Sequence, residues 1–213
     1  CGISYPEISP RMFSFNSPYG ACPQCDGLGT TNYFDPDLIV PNKDLSIREG
    51  AVLPWKGRTS MHFHSILQSL SDHYRIDLYA PFQTLSPQVQ KVILYGSNGE
   101  EIKFHHDRED RRHFYYRDFE GAIPQLERRY RETDSEIIRE EMEKHMNIRP
   151  CPVCHGARLR KESLFVKVGG LNIHEVAEKS IRQALDFFAN LRLNPREQEI
   201  ARVDQRVVRM PAF

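Results

Sequence analysis

CPQCDG at residues 22–27 and CPVCHG at residues 151–156 are the two stretches of this sequence that decide its fold. Two residues between the cysteines allow one tight turn to direct both thiolates at a single ion. The glycine that follows relieves crowding where backbone amides approach the sulfurs. We call each stretch a knuckle. Because a tetrahedral zinc ion takes four sulfurs, the two knuckles together predict one structural Zn²⁺ site. The predicted ligands are Cys22, Cys25, Cys151 and Cys154.

Three other roles for these cysteines are less well supported by the sequence than a zinc site. Disulfides require an oxidising compartment, and no stretch of the sequence resembles a secretory signal. A redox pair of the thioredoxin type occurs once, at the start of a helix after a strand, whereas this motif occurs twice with matching glycines. Free buried thiols are the third alternative. His155, inside the second knuckle, is an alternative ligand in place of one cysteine.

The composition limits the class of protein. The chain has 213 residues and equal numbers of basic and acidic side chains, 29 of each. This balance excludes a uniformly basic nucleic-acid binder but leaves room for local basic patches. No apolar run approaches the roughly 18 residues that a membrane span requires. We therefore expect a soluble, cytoplasmic protein without a membrane partner.

The spacing of the knuckles predicts a discontinuous domain organisation. The fold class is predicted to be α+β: a zinc-clasped lobe, interrupted by a small inserted α/β domain. The predicted boundaries are 1–34 for the segment with the first knuckle, 35–148 for the insertion, 149–203 for the second knuckle and the returning lobe, and 204–213 for an atypical tail. Cys1 and Gly2 are either the remaining half of a third knuckle or a fortuitous feature.

Hydrophobic periodicity and capping residues predict the elements. The predicted strands cover residues 45–53 around Gly50, 102–105, 113–116 and 163–168, with a charged loop over 107–112. The predicted helices start at the caps Ser60 and Ser86, cover 118–131, start again at a Thr133–Glu136 capping box, and end with two helices capped by Ser180 and Asn194. For Trp55, packing in the core of the insertion is favoured over stacking on a base.

Several stretches together resemble the UvrA family, the damage-recognition subunits of bacterial nucleotide-excision repair. They are RMFSFN at 11–16, the first knuckle with its flanks at 20–29, VILYG at 92–96, ERRYRET at 127–133 and the second knuckle with its flanks at 149–162. The resemblance covers roughly residues 1–200. It implies that the lobe is part of the signature domain of an ABC-type ATPase module. It also implies damaged double-stranded DNA, UvrB and a second UvrA subunit as partners of the complete protein.

The sequence lacks the nucleotide-binding motifs of that family. It contains no GxxxxGK[ST] phosphate loop, no LSGGQ-like signature and no apolar strand ending in Asp-Glu. ATP and Mg²⁺ are therefore expected only in the complete protein, and this chain alone is predicted to be inactive as an ATPase. The stretch 204–213 also breaks from the family pattern.

Basic residues near aromatic residues or knuckles are the candidate DNA contacts, because arginine pairs with phosphate through two parallel hydrogen bonds. They are Arg128, Arg129 and Arg131 around Tyr130, and Arg149, Arg158, Arg160 and Lys161 around the second knuckle. Recognition of damage without base identity favours backbone contacts and deformability. The alternative is ordinary surface ion pairing, since Glu127, Glu132 and Glu136 flank these arginines at helical spacings.

The knuckles alone also suggest a different class of function. A zinc-dependent protein-interaction module of the DnaJ cysteine-rich type carries CxxCxGxG repeats, usually four in close tandem. This chain has two knuckles separated by more than a hundred residues, which favours the repair function. Zinc content does not separate the two functions, whereas salt-dependent binding to duplex DNA does.

Overall fold

The computed structural model of the chain describes residues 7–57, 60–108 and 111–201. The predictions for Cys1 and for the tail 204–213 lie outside these residues. The chain divides into two compact units. One, which we call the knuckle unit, consists of the described residues up to Thr31 and from Arg149 onward. The other, the central unit, is the uninterrupted segment Asn32–Ile148.

The fold is a mixture of helix and sheet, as predicted. The described helices are α1 (Pro36–Ile39), α2 (Met61–Tyr74), α3 (Pro87–Tyr95), α4 (Ala122–Glu132), α5 (Glu136–Glu143), α6 (Lys161–Leu164), α7 (Ile173–Ala177), α8 (Ile181–Ala189) and α9 (Pro195–Ala201). The described strands are β1 (Thr30–Phe34), β2 (Ile102–Arg108), β3 (Arg111–Arg117) and β4 (Met146–Pro150). Strand β1 pairs with β4, and β2 pairs with β3. No helix of the described residues is long and apolar enough to cross a membrane.

The helix starts predicted from capping residues are confirmed at several places. The Ser60 hydroxyl accepts a hydrogen bond from the amide of Phe63 at the start of α2. Ser86 caps α3 in the same way, with proline at the first helical position. Before α8, Ser180 and Gln183 form a reciprocal capping box. Each cap satisfies backbone donors that the first turn of a helix leaves free.

The central unit has its own hydrophobic core beneath the β2–β3 hairpin. The two strands are antiparallel, with Ile102 opposite Arg117, and Ile102 and Phe104 are fully buried. Helix α2 lies along β2: the Ser65 hydroxyl donates to the carbonyl of His105, and the amide of His105 donates to Ser69 Oγ. Two serines one helical turn apart thus satisfy backbone groups at the edge of β2.

Trp55 belongs to this core, as predicted. Its side chain is buried and makes edge-to-face contacts with Phe63 and Phe119, at 5.7 and 6.1 Å between ring centroids. The indole N–H donates to the side-chain oxygen of Gln125. Burial of both the ring and its polar atom removes Trp55 as a surface for base stacking.

Two predicted strands are wrong. Residues 45–53 form a turn leading into a 3₁₀ helix at Leu53–Trp55, because the Glu49 carboxylate accepts from the Ser46 amide and the Ser46 hydroxyl accepts from the Glu49 amide. These side-chain bonds replace a strand ladder. Residues 163–168 begin inside α6 instead, where the Ser163 hydroxyl donates to the carbonyl of Met12.

Other element boundaries differ from the prediction. The helix expected from Asp118 begins at Ala122, because Gly121 before it has a φ of +81° and packs directly on the backbone of Gly96. The cap of α5 is Ser135 rather than Thr133. Both hairpin strands extend into the charged segment 107–112 that was expected to be a loop, since backbone pairing continues irrespective of side-chain charge.

Candidate metal centre and nucleic-acid interface

The knuckle unit brings the sulfurs of Cys22, Cys25, Cys151 and Cys154 together, all within 4.8 Å of one another. The Cys22 and Cys151 sulfurs are 3.9 Å apart, and those of Cys25 and Cys154 are 3.7 Å apart. All four side chains are buried. His155 is exposed and lies outside this cluster.

Two of the sulfur separations are close to those of a tetrahedral metal site, and all lie within 4.8 Å. A zinc–sulfur bond of about 2.3 Å places tetrahedral sulfurs about 3.8 Å apart. The two measured pairs lie on either side of that value. Thiolates are soft ligands that favour zinc, iron or copper(I) over magnesium or calcium. The four cysteines therefore fit a metal ion of this kind, held by sulfur alone.

Both knuckles have the same local backbone. The residue after the second cysteine and the glycine that follows have positive φ angles: +47° and +77° at Asp26 and Gly27, and +51° and +95° at His155 and Gly156. This left-handed pair turns the chain back over the sulfurs. The turn also closes through matching backbone bonds, from Leu28 to the carbonyl of Cys25 and from Ala157 to that of Cys154.

The knuckles are tied to each other by a reciprocal pair of backbone bonds. The amide of Cys22 donates to the carbonyl of Arg158, and the amide of Cys151 donates to the carbonyl of Gly29, both at 2.9 Å. Gly29 and Arg158 hold equivalent positions, each seven residues after the first cysteine of its own knuckle. The two halves thus form an approximately symmetric clasp around the four sulfurs.

Burial and backbone amides act in opposite directions on the thiols. Burial raises the pKa of Cys22 and raises that of Cys154 to about 12. Burial also opposes ionisation of Cys151, but hydrogen bonds from the backbone amides of Cys154 and Val153 lower its pKa to about 7. A metal ion must displace the remaining protons, so metal affinity is expected to fall as pH falls.

Arg158 braces the first knuckle. Its Nε donates to the carbonyl of Gly27 at 2.7 Å, and its guanidinium carbon lies 3.4 Å from the ring centroid of Phe15. Arg160 donates to the carbonyl of Pro18 at 3.0 Å. From the sequence, both arginines were predicted only as candidate DNA contacts. The one sequence feature that indicates a structural role is that Arg158 and Gly29 occupy equivalent positions in the two knuckles.

The other basic candidates near the second knuckle are exposed. Arg149 lies in β4 and Lys161 begins α6. Exposure leaves their charged groups accessible to a partner from solution.

Arg128, on α4, already has acidic partners. Its Nε and a terminal nitrogen donate to the two Glu120 oxygens at 2.7 and 3.0 Å, and its other terminal nitrogen donates to Glu132 at 3.2 Å. The hydrogen bond from Arg128 lowers the pKa of Glu120, and the same bond raises that of Arg128. Arg131 is exposed and shares a side of α4 with Arg128, whereas Arg129 lies on a different side.

Comparison with known families matches residues 35–144 to the UvrA DNA-binding domain. The match covers just over half of the chain and nearly all of the central unit. The chain belongs to the UvrA family. This confirms the resemblance found from the knuckles and the flanking stretches, and it favours the repair function over a DnaJ-type module.

Individual members of the UvrA family agree over almost the whole chain. The UvrABC system protein A of Methanothermobacter thermautotrophicus is 48% identical over 203 residues, covering 94% of this chain and 21% of the relative. That of Neisseria gonorrhoeae is 47% identical, with the same coverage. The crystal structure of UvrA2 from Deinococcus radiodurans is also similar, with a TM-score of 0.62 and 25% identity. The matched region covers 96% of this chain and 27% of the UvrA2 chain. The chain thus spans about a fifth of the length of its curated UvrA relatives.

Proposed function

We propose that this chain is the DNA-binding part of an excision-repair damage-recognition protein and that its four cysteines hold one structural zinc ion. The match of residues 35–144 to the UvrA DNA-binding domain is the observation that carries the first part. The fit of the four sulfurs to a tetrahedral ion supports the second.

The proposed organisation is a zinc-clasped lobe interrupted by an inserted DNA-binding domain. The division into a knuckle unit and an uninterrupted central unit supports it. With four protein sulfurs as ligands the metal would have no open position, so its role is to join two distant segments rather than to activate a substrate. Arg158 and Gly29 then hold the two knuckles in register through their carbonyls.

The proposed DNA contacts are phosphate contacts made by the exposed basic residues. Arg129, Arg131, Arg149 and Lys161 present charge to solvent. Arg128, Arg131, Arg149, Arg158 and Arg160 also interact within the chain, so their contribution depends on releasing or sharing those partners. Contacts of this kind position a duplex without reading its bases, which suits a protein that detects many lesions.

For the longer protein we propose ATP and Mg²⁺ as cofactors, UvrB and a second UvrA subunit as partners, and a cytoplasmic location. The resemblance and the family membership support this assignment. Since the sequence has no phosphate loop and no signature motif, we expect no ATP hydrolysis by this chain alone.

Binding to duplex DNA should be strongly salt-dependent. We expect the affinity for a labelled duplex to fall about tenfold or more between roughly 50 and 200 mM salt, because neutralised phosphates release counterions. Arg131→Gln should weaken binding and lower the salt slope by about one, while Lys91→Gln, on an exposed side of α3, should leave both unchanged. Fluorescence anisotropy with intact and lesion-containing duplexes measures both quantities. Absence of salt-sensitive binding would exclude the proposed function.

Releasing Arg128 from Glu120 should strengthen duplex binding. Glu120→Gln removes the carboxylate that holds two nitrogens of Arg128, so these two nitrogens become more available to phosphate while the third keeps its bond to Glu132. We expect affinity to rise about threefold or more, since hydrogen bonds between arginine and phosphate are charge-assisted. Glu127→Gln serves as the matched control. Glu127 lies on α4 with Arg128, and its substitution also removes one negative charge but does not release Arg128. Equal effects of the two substitutions would show that Arg128 does not contact DNA.

A further inference from the structure

A cavity of about 200 Å³ in the central unit is lined by basic side chains outside the candidate set. It lies between the turn that carries Arg48, the segment ending at Gly57 and the first part of α2. Arg48, Lys56 and His64 all border it. We call it the Arg48 cavity.

Arg48 has an unsatisfied donor at this cavity. Its Nε is buried and makes no hydrogen bond to any described residue of the chain. The backbone amide of Arg48 donates to the carbonyl of Leu78, which fixes the residue in place. Buried polar groups in native proteins are nearly always hydrogen-bonded, so the described residues leave the hydrogen-bonding capacity of the Arg48 guanidinium incompletely used.

One acidic side chain, Glu49, also borders the cavity, and its charge leaves a formal sum of +1 with Arg48 and Lys56. The Glu49 carboxylate accepts from the amide of Ser46 at 2.8 Å, which anchors it to its own turn. Within the described residues, neither Arg48 nor Lys56 forms an ion pair. The cavity therefore combines two permanent positive charges with one carboxylate that is already hydrogen-bonded.

The other two basic residues are placed by their surroundings. His64 Nδ1 lies 3.1 Å from the carbonyl of Ser60, and because a carbonyl only accepts, Nδ1 carries the proton. Nε2 can donate to a phosphate oxygen only when the ring carries a second proton, so Arg48 and Lys56 supply the permanent positive charge of the cavity. Lys56 packs its stem close to Gly50, where a Cβ would lie 3.1 Å from Lys56 Cγ. Among the described residues, its chain neighbours aside, none has an atom within 4 Å of the position that a Cβ on Gly57 would take.

We propose that the Arg48 cavity binds a phosphate group and, resting on the function proposed above, that this group is a backbone phosphate of the bound duplex. An arginine and a lysine that border one cavity suit the charge and the oxygen acceptors of phosphate. A free phosphate-bearing molecule would present the same chemistry, so the experiment must separate the two sources.

Trp55 provides a direct readout, because it is the sole tryptophan of the chain and lines the Arg48 cavity. Inorganic phosphate is titrated into the full-length chain at constant ionic strength while tryptophan fluorescence is recorded. We expect a saturable change that is lost in Arg48→Gln and in Lys56→Gln and is kept in Lys91→Gln. Lys56 is exposed, so Lys56→Gln tests the cavity without disturbing the core. No saturable change, or an unaltered response in Lys56→Gln, overturns the proposal.

A second titration identifies the source of the phosphate. Unlabelled duplex should compete with inorganic phosphate for the fluorescence signal, and Lys56→Gln should lower duplex affinity about fivefold and the salt slope by about one. Duplex that binds without competing overturns the assignment to DNA and supports a site for a free phosphate compound. If the chain binds no duplex at all, the proposed function fails, and the phosphate titration still decides whether the cavity binds phosphate.

Discussion

Removing the metal, or replacing Cys151 with serine, is expected to unfold the knuckle unit while the central unit stays folded. The buried cluster of the knuckle unit consists of the four cysteines and Ala157, with Leu164 packed against it. The central unit instead buries large apolar side chains, including Trp55, Phe82 and Phe104. Structural zinc sites contribute about 10–16 kcal/mol of apparent binding free energy, which is comparable to the whole stability of a domain.

The two units can be followed separately in one sample. Trp55 fluorescence reports on the central unit alone, zinc content reports on the knuckle unit, and far-UV circular dichroism reports on the helices of both. We expect Cys151→Ser or a chelator to abolish zinc binding, remove part of the circular dichroism signal and leave the Trp55 unfolding transition in place. His155→Asn, inside the same knuckle, should keep the metal. Loss of the Trp55 transition together with zinc would contradict the division into two units, and full zinc content in Cys151→Ser would contradict the ligand set.

Substituting the glycines of the two knuckles by alanine should have very different effects. A Cβ on Gly27 would lie 2.0 Å from the carbonyl oxygen of Phe15, whereas a Cβ on Gly156 would have no atom of another described residue within 4 Å, its chain neighbours aside. Both glycines have positive φ angles, so each substitution costs about 1–2 kcal/mol in backbone strain. Gly27→Ala must also displace the Phe15 backbone, and overpacking of this kind adds about 1–3 kcal/mol.

The comparison isolates packing from backbone strain. Thermal unfolding of the zinc-loaded protein should show Gly27→Ala destabilised by about 2 kcal/mol more than Gly156→Ala. The displaced Phe15 also loosens its contact with the Arg158 guanidinium and the bond from Arg158 to Gly27, so zinc should be released faster to a chelator. Equal stability of the two variants would show that the close approach of Phe15 to the first knuckle is not maintained.

Local sequence signals predicted much of this architecture. The CPxCxG spacing encodes the turn of each knuckle by itself, and the meeting of the two knuckles was predictable because a tetrahedral zinc takes four sulfurs. The caps at Ser60, Ser86 and Ser180 were predictable for the same reason: each bond joins residues three positions apart.

Features that depend on distant residues were not predictable. Residues 163–168 alternate like a strand, yet Ser163 is fixed by a bond to Met12, 151 residues away. Arg158 resembled a DNA contact because its partner Gly27 lies 131 residues earlier. The Arg48 cavity has no motif at all, since Arg48, Lys56 and His64 lie eight positions apart on a turn, a loop and a helix.

The measurement that most directly tests this account is X-ray absorption at the zinc edge on the purified, full-length chain. We expect one zinc per chain with four sulfur neighbours at about 2.3 Å and no nitrogen or oxygen in the coordination shell. A shell containing histidine nitrogen or water oxygen, or a chain without zinc, would contradict the closed four-cysteine clasp on which the proposed organisation rests.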